Sequence, residues 1–226
     1  MYIHDCAWNC ELRLKTTATE SRKERERLRH RQEILAAALR LFAEKGFHHV
    51  SMQEIAAAAE FGTGTLYHFF SSKEDLFFEL LVATGEESLA LVLPALEGPG
   101  DERHRVAQYI RLHERVAREQ GAAIRLYLRE SQGRHLPQPR VEAKKKEMDA
   151  RVIGRLADVI AAGVRKGVFH NIDPMVAAQC LVAALQAMTL AAIEDPQGVD
   201  LPAKLKKAEA LFFRGFVKSS GGKRDA

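Results

Sequence analysis

The sequence predicts an all-α protein: an N-terminal three-helix unit of helix-turn-helix form, then a larger C-terminal helical domain, about nine helices in all. Three observations carry this. Apolar residues recur at helical spacing in successive segments. Start and stop signals bracket those segments, with Ser51, Ser72, Asp101 and Asp173–Pro174 as starts and Gly46 and Gly167 as stops. Between residues 51 and 70, SMQEIAAAAEFGTGTLYHFF reads as two short helices joined by a tight turn.

The chain has 226 residues, 46% apolar and 28% charged, as a soluble globular protein has. A formal net charge of +4 permits nucleic-acid binding without demanding it. Residues 1–21 read as a disordered extension with no sustained period, and no apolar run marks a signal peptide, so the chain is expected to be cytoplasmic. Cys6, Cys10 and Cys180 make no disulfide framework, and Cys6 and Cys10 lack further ligands at zinc spacing. Residues 22–31 carry six Lys/Arg against two Glu, which reads as a solvated helix face or as an arm for DNA phosphates or the minor groove.

The first helix is expected over about 25–45, burying Ile34, Leu35, Ala38, Leu41 and Phe42 and ending at Gly46. His48 and His49 follow as surface residues. Ser51 and Glu54 form a capping box, and Val50 with Ile55 stands at the spacing of a hydrophobic staple. The turn runs through Glu60, Phe61 and Gly62. The next helix buries Leu66 and offers Thr63, Thr65, Tyr67 and His68, a set suited to hydroxyl hydrogen bonds and thymine-methyl contacts in a major groove. The alternative for Tyr67 is packing against the first helix. From Ser51 to Ser72 there are two Glu and no Lys or Arg, so affinity must come from elsewhere: the arm before residue 32, Lys73 and helix N-termini.

The fourth helix opens at Ser72 and continues to about residue 95. GPGD at 98–101 is a turn, and Asp101 caps a fifth helix that Gly121 breaks; a sixth follows over about 122–131. SQGRHLPQP is a loop. A seventh helix spans about 140–166, charged in its first half and apolar in its second. MVAAQCLVAALQAMTLAAI is apolar almost all round; its length would allow a membrane span, but its glutamines and helical context favour a helix covered by its own domain and by a partner subunit. The last helix, about 202–218, carries Leu205, Ala208, Phe212, Gly215 and Phe216, and 219–226 is a disordered tail. No nucleophile–base pair, phosphate loop or Asp-rich motif points to an enzyme. Tyr109, His113, Tyr127, Gln179 and Gln186 are polar or aromatic residues on otherwise apolar helices, candidates for binding a hydrophobic or amphipathic ligand.

ILAAALRLFAEKGF, VSMQEIAAAA and GTLYHFFSSKEDLF, between Ile34 and Leu81, closely resemble the DNA-binding domain of TetR/AcrR-type repressors. The resemblance implies a DNA-binding domain over 22–72, a ligand-binding and dimerisation domain over 73–218, and a homodimer formed by the last two helices. It implies a palindromic operator, a small-molecule effector that releases it, no cofactor, no catalysis and no membrane. It further implies that Ser51, Gln53, Gly62, Thr63, Thr65, Tyr67, His68 and Lys73 meet DNA, with Lys73 on a phosphate. Glu60 stands where the family commonly has Gly, and Gly62 and Thr63 where Ser and a polar or basic residue are frequent. A DNA-binding dimer without an effector is the main alternative, and a helical ligand-binding enzyme a remote one.

Overall fold

The structure is a computed structural model; it describes residues 21–131 and 138–216, the side chains of Ser131, Gln138 and Phe216 excepted. Among them are eight α-helices and one short 3₁₀ turn: α1 Arg22–Lys45, the turn Phe47–His49, α2 Met52–Ala58, α3 Thr63–Phe69, α4 Lys73–Glu97, α5 Glu102–Ser131, α6 Gln138–Arg165, α7 Pro174–Glu194 and α8 Leu201–Phe216. The expected terminal extension and tail, and Cys6 and Cys10, lie outside the described residues apart from Ser21, whose hydroxyl caps α1 by accepting from the Glu24 N–H at 3.2 Å. The first helix therefore starts three residues earlier than its apolar stripe indicates.

The helices form two compact units, one ending at Phe77 and the other starting at Phe78. The boundary thus falls inside α4 rather than at its start. In the first unit Phe42, Phe47 and Phe77 pack ring against ring, with centroids 5.0–5.8 Å apart. That cluster holds the opening turn of α4 in the first unit, together with the fully buried Ile34, Ala38, Ile55, Leu66 and Leu76.

The second unit is built on α5, α6, α7 and α8, whose buried faces carry Val106, Ile110, Leu156, Ile160, Ala178, Leu185 and Leu205. Here the sequence expectation needs one correction. Gly121 does not break a helix; α5 runs unbroken for 30 residues, and eight α-helices replace the expected nine. Gly121 is buried in mid-helix, where a Cβ would meet Ile193 at 3.5 Å and Arg125 at 3.7 Å. Its intrinsic cost of roughly 0.5–1 kcal/mol is too small to end a helix whose whole length is seated on a core.

The other signals act as expected. Gly46 takes φ +86 at the end of α1 and Gly167 φ +73 after α6, conformations that favour glycine. The Asp173 carboxylate accepts from the N–H groups of Met175 and Val176 at 2.8 and 2.9 Å, with Pro174 in the first turn of α7. Asp101 accepts from the His104 N–H at 2.7 Å. α7 is long and apolar enough to cross a membrane, but one face of it is buried in this unit.

Candidate nucleic-acid interface

The first unit presents α2 and α3 as a helix-turn-helix. At α2, Ser51 Oγ accepts from the Glu54 N–H at 3.2 Å, while the Glu54 carboxylate accepts from the Ser51 N–H at 2.8 Å and the Ser51 hydroxyl at 2.9 Å. The two bonds that Ser51 donates to it, with Lys45 adding a third donor at 3.0 Å, hold the Glu54 carboxyl down at about 2. The turn then reverses through Glu60, whose φ is +60. The Glu60 N–H donates to Ala57 O at 3.1 Å and the Phe61 N–H to Ala56 O at 2.9 Å, the paired bonds of a Schellman motif. Glu60 occupies its left-handed position, the one non-glycine residue with positive φ among those described.

Gly62 then caps α3 without a side chain. Leu66 is fully buried, which fixes the helix's rotation about its axis. Thr65, Tyr67 and His68 consequently point to solvent and Thr63 is partly exposed. Tyr67 is 49% exposed, so its packing alternative is not adopted. Gln53 is exposed on α2, whereas Ser51 is part-buried and spent on the capping box.

Lys73 is the departure in this set. Its ammonium donates to Phe47 O at 2.9 Å and Val50 O at 3.0 Å and lies 4.5 Å from the centroid of the Phe47 ring. It ties the start of α4 to the connection between α1 and α2, with two of its three N–H groups occupied. The partners are 26 and 23 residues away in the chain, so no local pattern could have announced them.

The five ligand candidates do not converge. Tyr109 and His113 lie inside the second unit, their rings edge to face at 5.0 Å, with His113 Nδ1 3.1 Å from Tyr109 O. Burial, with the charge of Asp149, raises the Tyr109 phenol well above its ordinary range, and burial lowers the His113 imidazole. Tyr127 is partly buried. Gln179 and Gln186 stand on the exposed side of α7, where Gln186 Nε2 donates to Asp149 at 2.8 Å. Sequence reasoning missed Gln120, buried and hydrogen-bonded to Ser88 of α4, and Thr189, buried with no partner for its hydroxyl among the described residues. Gln120 sits seven residues after His113 on the same helical stripe. An open groove of about 460 Å³ lies elsewhere, lined by Leu93 and Glu97 of α4 and by Ala150, Arg151, Gly154, Arg155 and Asp158 of α6.

Residues 34–80, the span from the core of α1 to the start of α4, match the bacterial regulatory proteins of the tetR family. The chain belongs to that family. The transcriptional regulator UidR of Escherichia coli K12 is 27% identical to it over 192 residues, spanning 85% of this chain and 91% of UidR. The crystal structure of a TetR/AcrR regulator from Thermobifida fusca is 25% identical and superposes with a TM-score of 0.66 over 83% of this chain and 98% of that one. A transcriptional regulator from Saccharomonospora viridis, solved in complex with choline, shares the fold at 22% identity and a TM-score of 0.69, over 85% of this chain and 100% of its own. This TetR-family chain is accordingly a DNA-binding transcriptional regulator, from a family of regulators rather than enzymes.

Proposed function

We propose that this regulator is a cytoplasmic repressor that binds a palindromic operator as a homodimer and leaves it when a small molecule binds the second unit. The observation that carries the DNA reading is the rotation of α3. With Leu66 buried, Thr65, Tyr67 and His68 share the exposed side with Thr63, so base-edge contacts fall to the threonines, and Tyr67 and His68 reach the backbone. Gln53 and the N–H groups that open α3 at Gly62 add contacts at the flank. Ser51 acts by positioning α2. Lys73 has one N–H left for a phosphate.

The dimer reading rests on the outer face of the last two helices. Met175, Val176, Gln179, Cys180, Ala183, Gln186 and Ala187 line the exposed side of α7, and Leu211 of α8 is 76% exposed. An apolar helix left half uncovered is suited to isologous two-fold packing. A dimer would carry two copies of α3 to successive major grooves, about 34–36 Å apart. That Gln179 and Gln186 lie on this face moves them from the ligand site to the subunit interface. Tyr109, His113, Gln120 and Thr189, on the packed helices α5 and α7, are the better candidates for meeting an effector. That a protein of this fold was solved in complex with choline supports a small-molecule effector. Release is then a population shift: the effector weakens operator binding by as much as it prefers the conformer that does not fit DNA.

Fluorescence anisotropy with DNA from immediately upstream of the protein's own gene, against a scrambled duplex, tests the reading. Tight binding to the upstream DNA, weakened by Thr65→Ala and by Tyr67→Ala, supports it. Equal, steeply salt-dependent binding to both duplexes, unaffected by either substitution, refutes sequence-specific recognition.

A further inference from the structure

The helix-turn-helix has a charge deficit. Ser51 to Ser72 contains Glu54 and Glu60 and no Lys or Arg, and Lys73 is largely occupied by two carbonyls. Neutralised phosphates supply much of the affinity of DNA-binding proteins, so the cations must stand elsewhere on the same unit.

They stand on α1. The expectation of an arm before residue 32 meets a continuous helix from Arg22, whose first three turns carry two different stripes. One, at residues 22, 26, 29 and 33, is neutral and paired with itself: Arg22 meets Glu26 at 3.2 Å and Arg29 meets Glu33 at 3.4 Å. The other steps by four residues from the buried Leu35 back through Arg31, Arg27 and Lys23, and it is wholly cationic. Its side of the helix is fixed by contacts at both ends of α3. His30 packs edge to face on Phe61, just before α3, with centroids 5.0 Å apart, and the Arg31 guanidinium lies 5.7 Å from the centroid of Phe70, just after it. Arg27 and Lys23 follow Arg31 on the same row, about 6 and 12 Å further along the axis at 1.5 Å per residue. Both are exposed. Lys23 makes no ion pair among the described residues, and Arg27 is held only by Glu24, at 2.8 Å in open solvent, an exchange partner of little strength.

We propose that the Lys23–Arg27–Arg31 row is a second DNA-contact element, gripping the phosphates beside the groove that α3 enters. The row rests on the DNA-binding reading above and adds to it the source of the affinity. Its partner is duplex DNA, through backbone charge rather than base sequence. Glu24 moderates it by competing for Arg27.

The test is anisotropy between 50 and 200 mM salt with two probes, a random 30-base-pair duplex and the upstream fragment. The full-length wild type is compared with Lys23→Gln/Arg27→Gln and with a charge-matched control in the second unit, Arg118→Gln/Lys146→Gln. Glutamine keeps helix propensity, and circular dichroism checks the fold. The dimer loses four phosphate contacts, two per subunit, which removes about 3.6 from the log–log salt slope, so over this range the wild type loses on the order of a hundredfold more affinity than the double variant, on both probes. The control keeps the wild-type slope, and Glu24→Gln tightens binding to both. A double variant with the wild-type slope overturns the inference even if upstream DNA is preferred. A slope that falls with no preference between probes supports this row and refutes the sequence-specific reading instead. A wild type that binds neither probe overturns both.

Discussion

Replacing Glu60 separates two effects that meet in one residue. Its φ of +60 places it in the left-handed region, while the bonds from its own N–H and from Phe61 hold it there as the turn of the helix-turn-helix. A left-handed L-residue costs roughly 1–2 kcal/mol. Glycine removes that cost but gives back about 0.4–1 kcal/mol through the greater freedom of its unfolded chain. Glu60→Gly should therefore stabilise the first unit by a net of about 0.5–1 kcal/mol. Glu60→Gln keeps the Cβ and the strain, removes the charge, and should leave stability within a few tenths of a kcal/mol, since the side chain is exposed. On DNA the two should behave alike, because both delete a negative charge from the turn ahead of α3. Urea denaturation followed by circular dichroism reads the first difference, and anisotropy at constant salt the second. If Glu60→Gly is no more stable than Glu60→Gln, the turn is not strained. If Gly tightens DNA binding and Gln does not, the charge argument is wrong.

Glu54 should make the first unit acid-sensitive. Its carboxyl is held at about 2 in the folded chain against an ordinary value of 4.5, so the stability it contributes is complete above pH 4.5 and is lost as pH falls from there towards 2. Glu54→Gln keeps an acceptor for the capping box and should flatten that part of a pH–stability profile; an unchanged profile would show that the box does not govern it. Gly121→Ala should raise the melting temperature of the second unit, by about 0.5–1 kcal/mol of added helix stability, because the new methyl meets only ordinary contacts at 3.5 and 3.7 Å. A fall would mean that α5 needs the closer approach to Ile193 that glycine permits. Leu211→Asp should convert the dimer to a monomer in sedimentation equilibrium and weaken operator binding together with it. A dimer that survives would place the subunit interface away from α8.

Much of the first unit is written in short-range pattern. The Ser51–Glu54 box, the positive φ at Gly46, the strained turn at Glu60 and the buried Leu66 all follow from residues within five positions of one another. So do the Asp173–Pro174 start of α7 and the Gly167 stop of α6, because capping hydrogen bonds and left-handed backbone are local chemistry. The exposure of Thr65, Tyr67 and His68 follows from the same periodicity once Leu66 is inside. Tertiary structure decided the rest. Gly121 stays helical because Ile193, 72 positions away, packs beside it, and a fraction of a kcal/mol of local preference loses to a seated helix. Lys73 binds the carbonyls of Phe47 and Val50, which no spacing connects to it. Gln179 and Gln186 face outward because the α5 and α6 sides of α7 are filled by Ala178, Leu181 and Leu185, and a helix apolar all round does not declare in its sequence which face will be covered. The basic run before residue 32 shows its charge in sequence, but only the seating of His30 on Phe61 and Arg31 near Phe70 decides which of its cations stand beside α3.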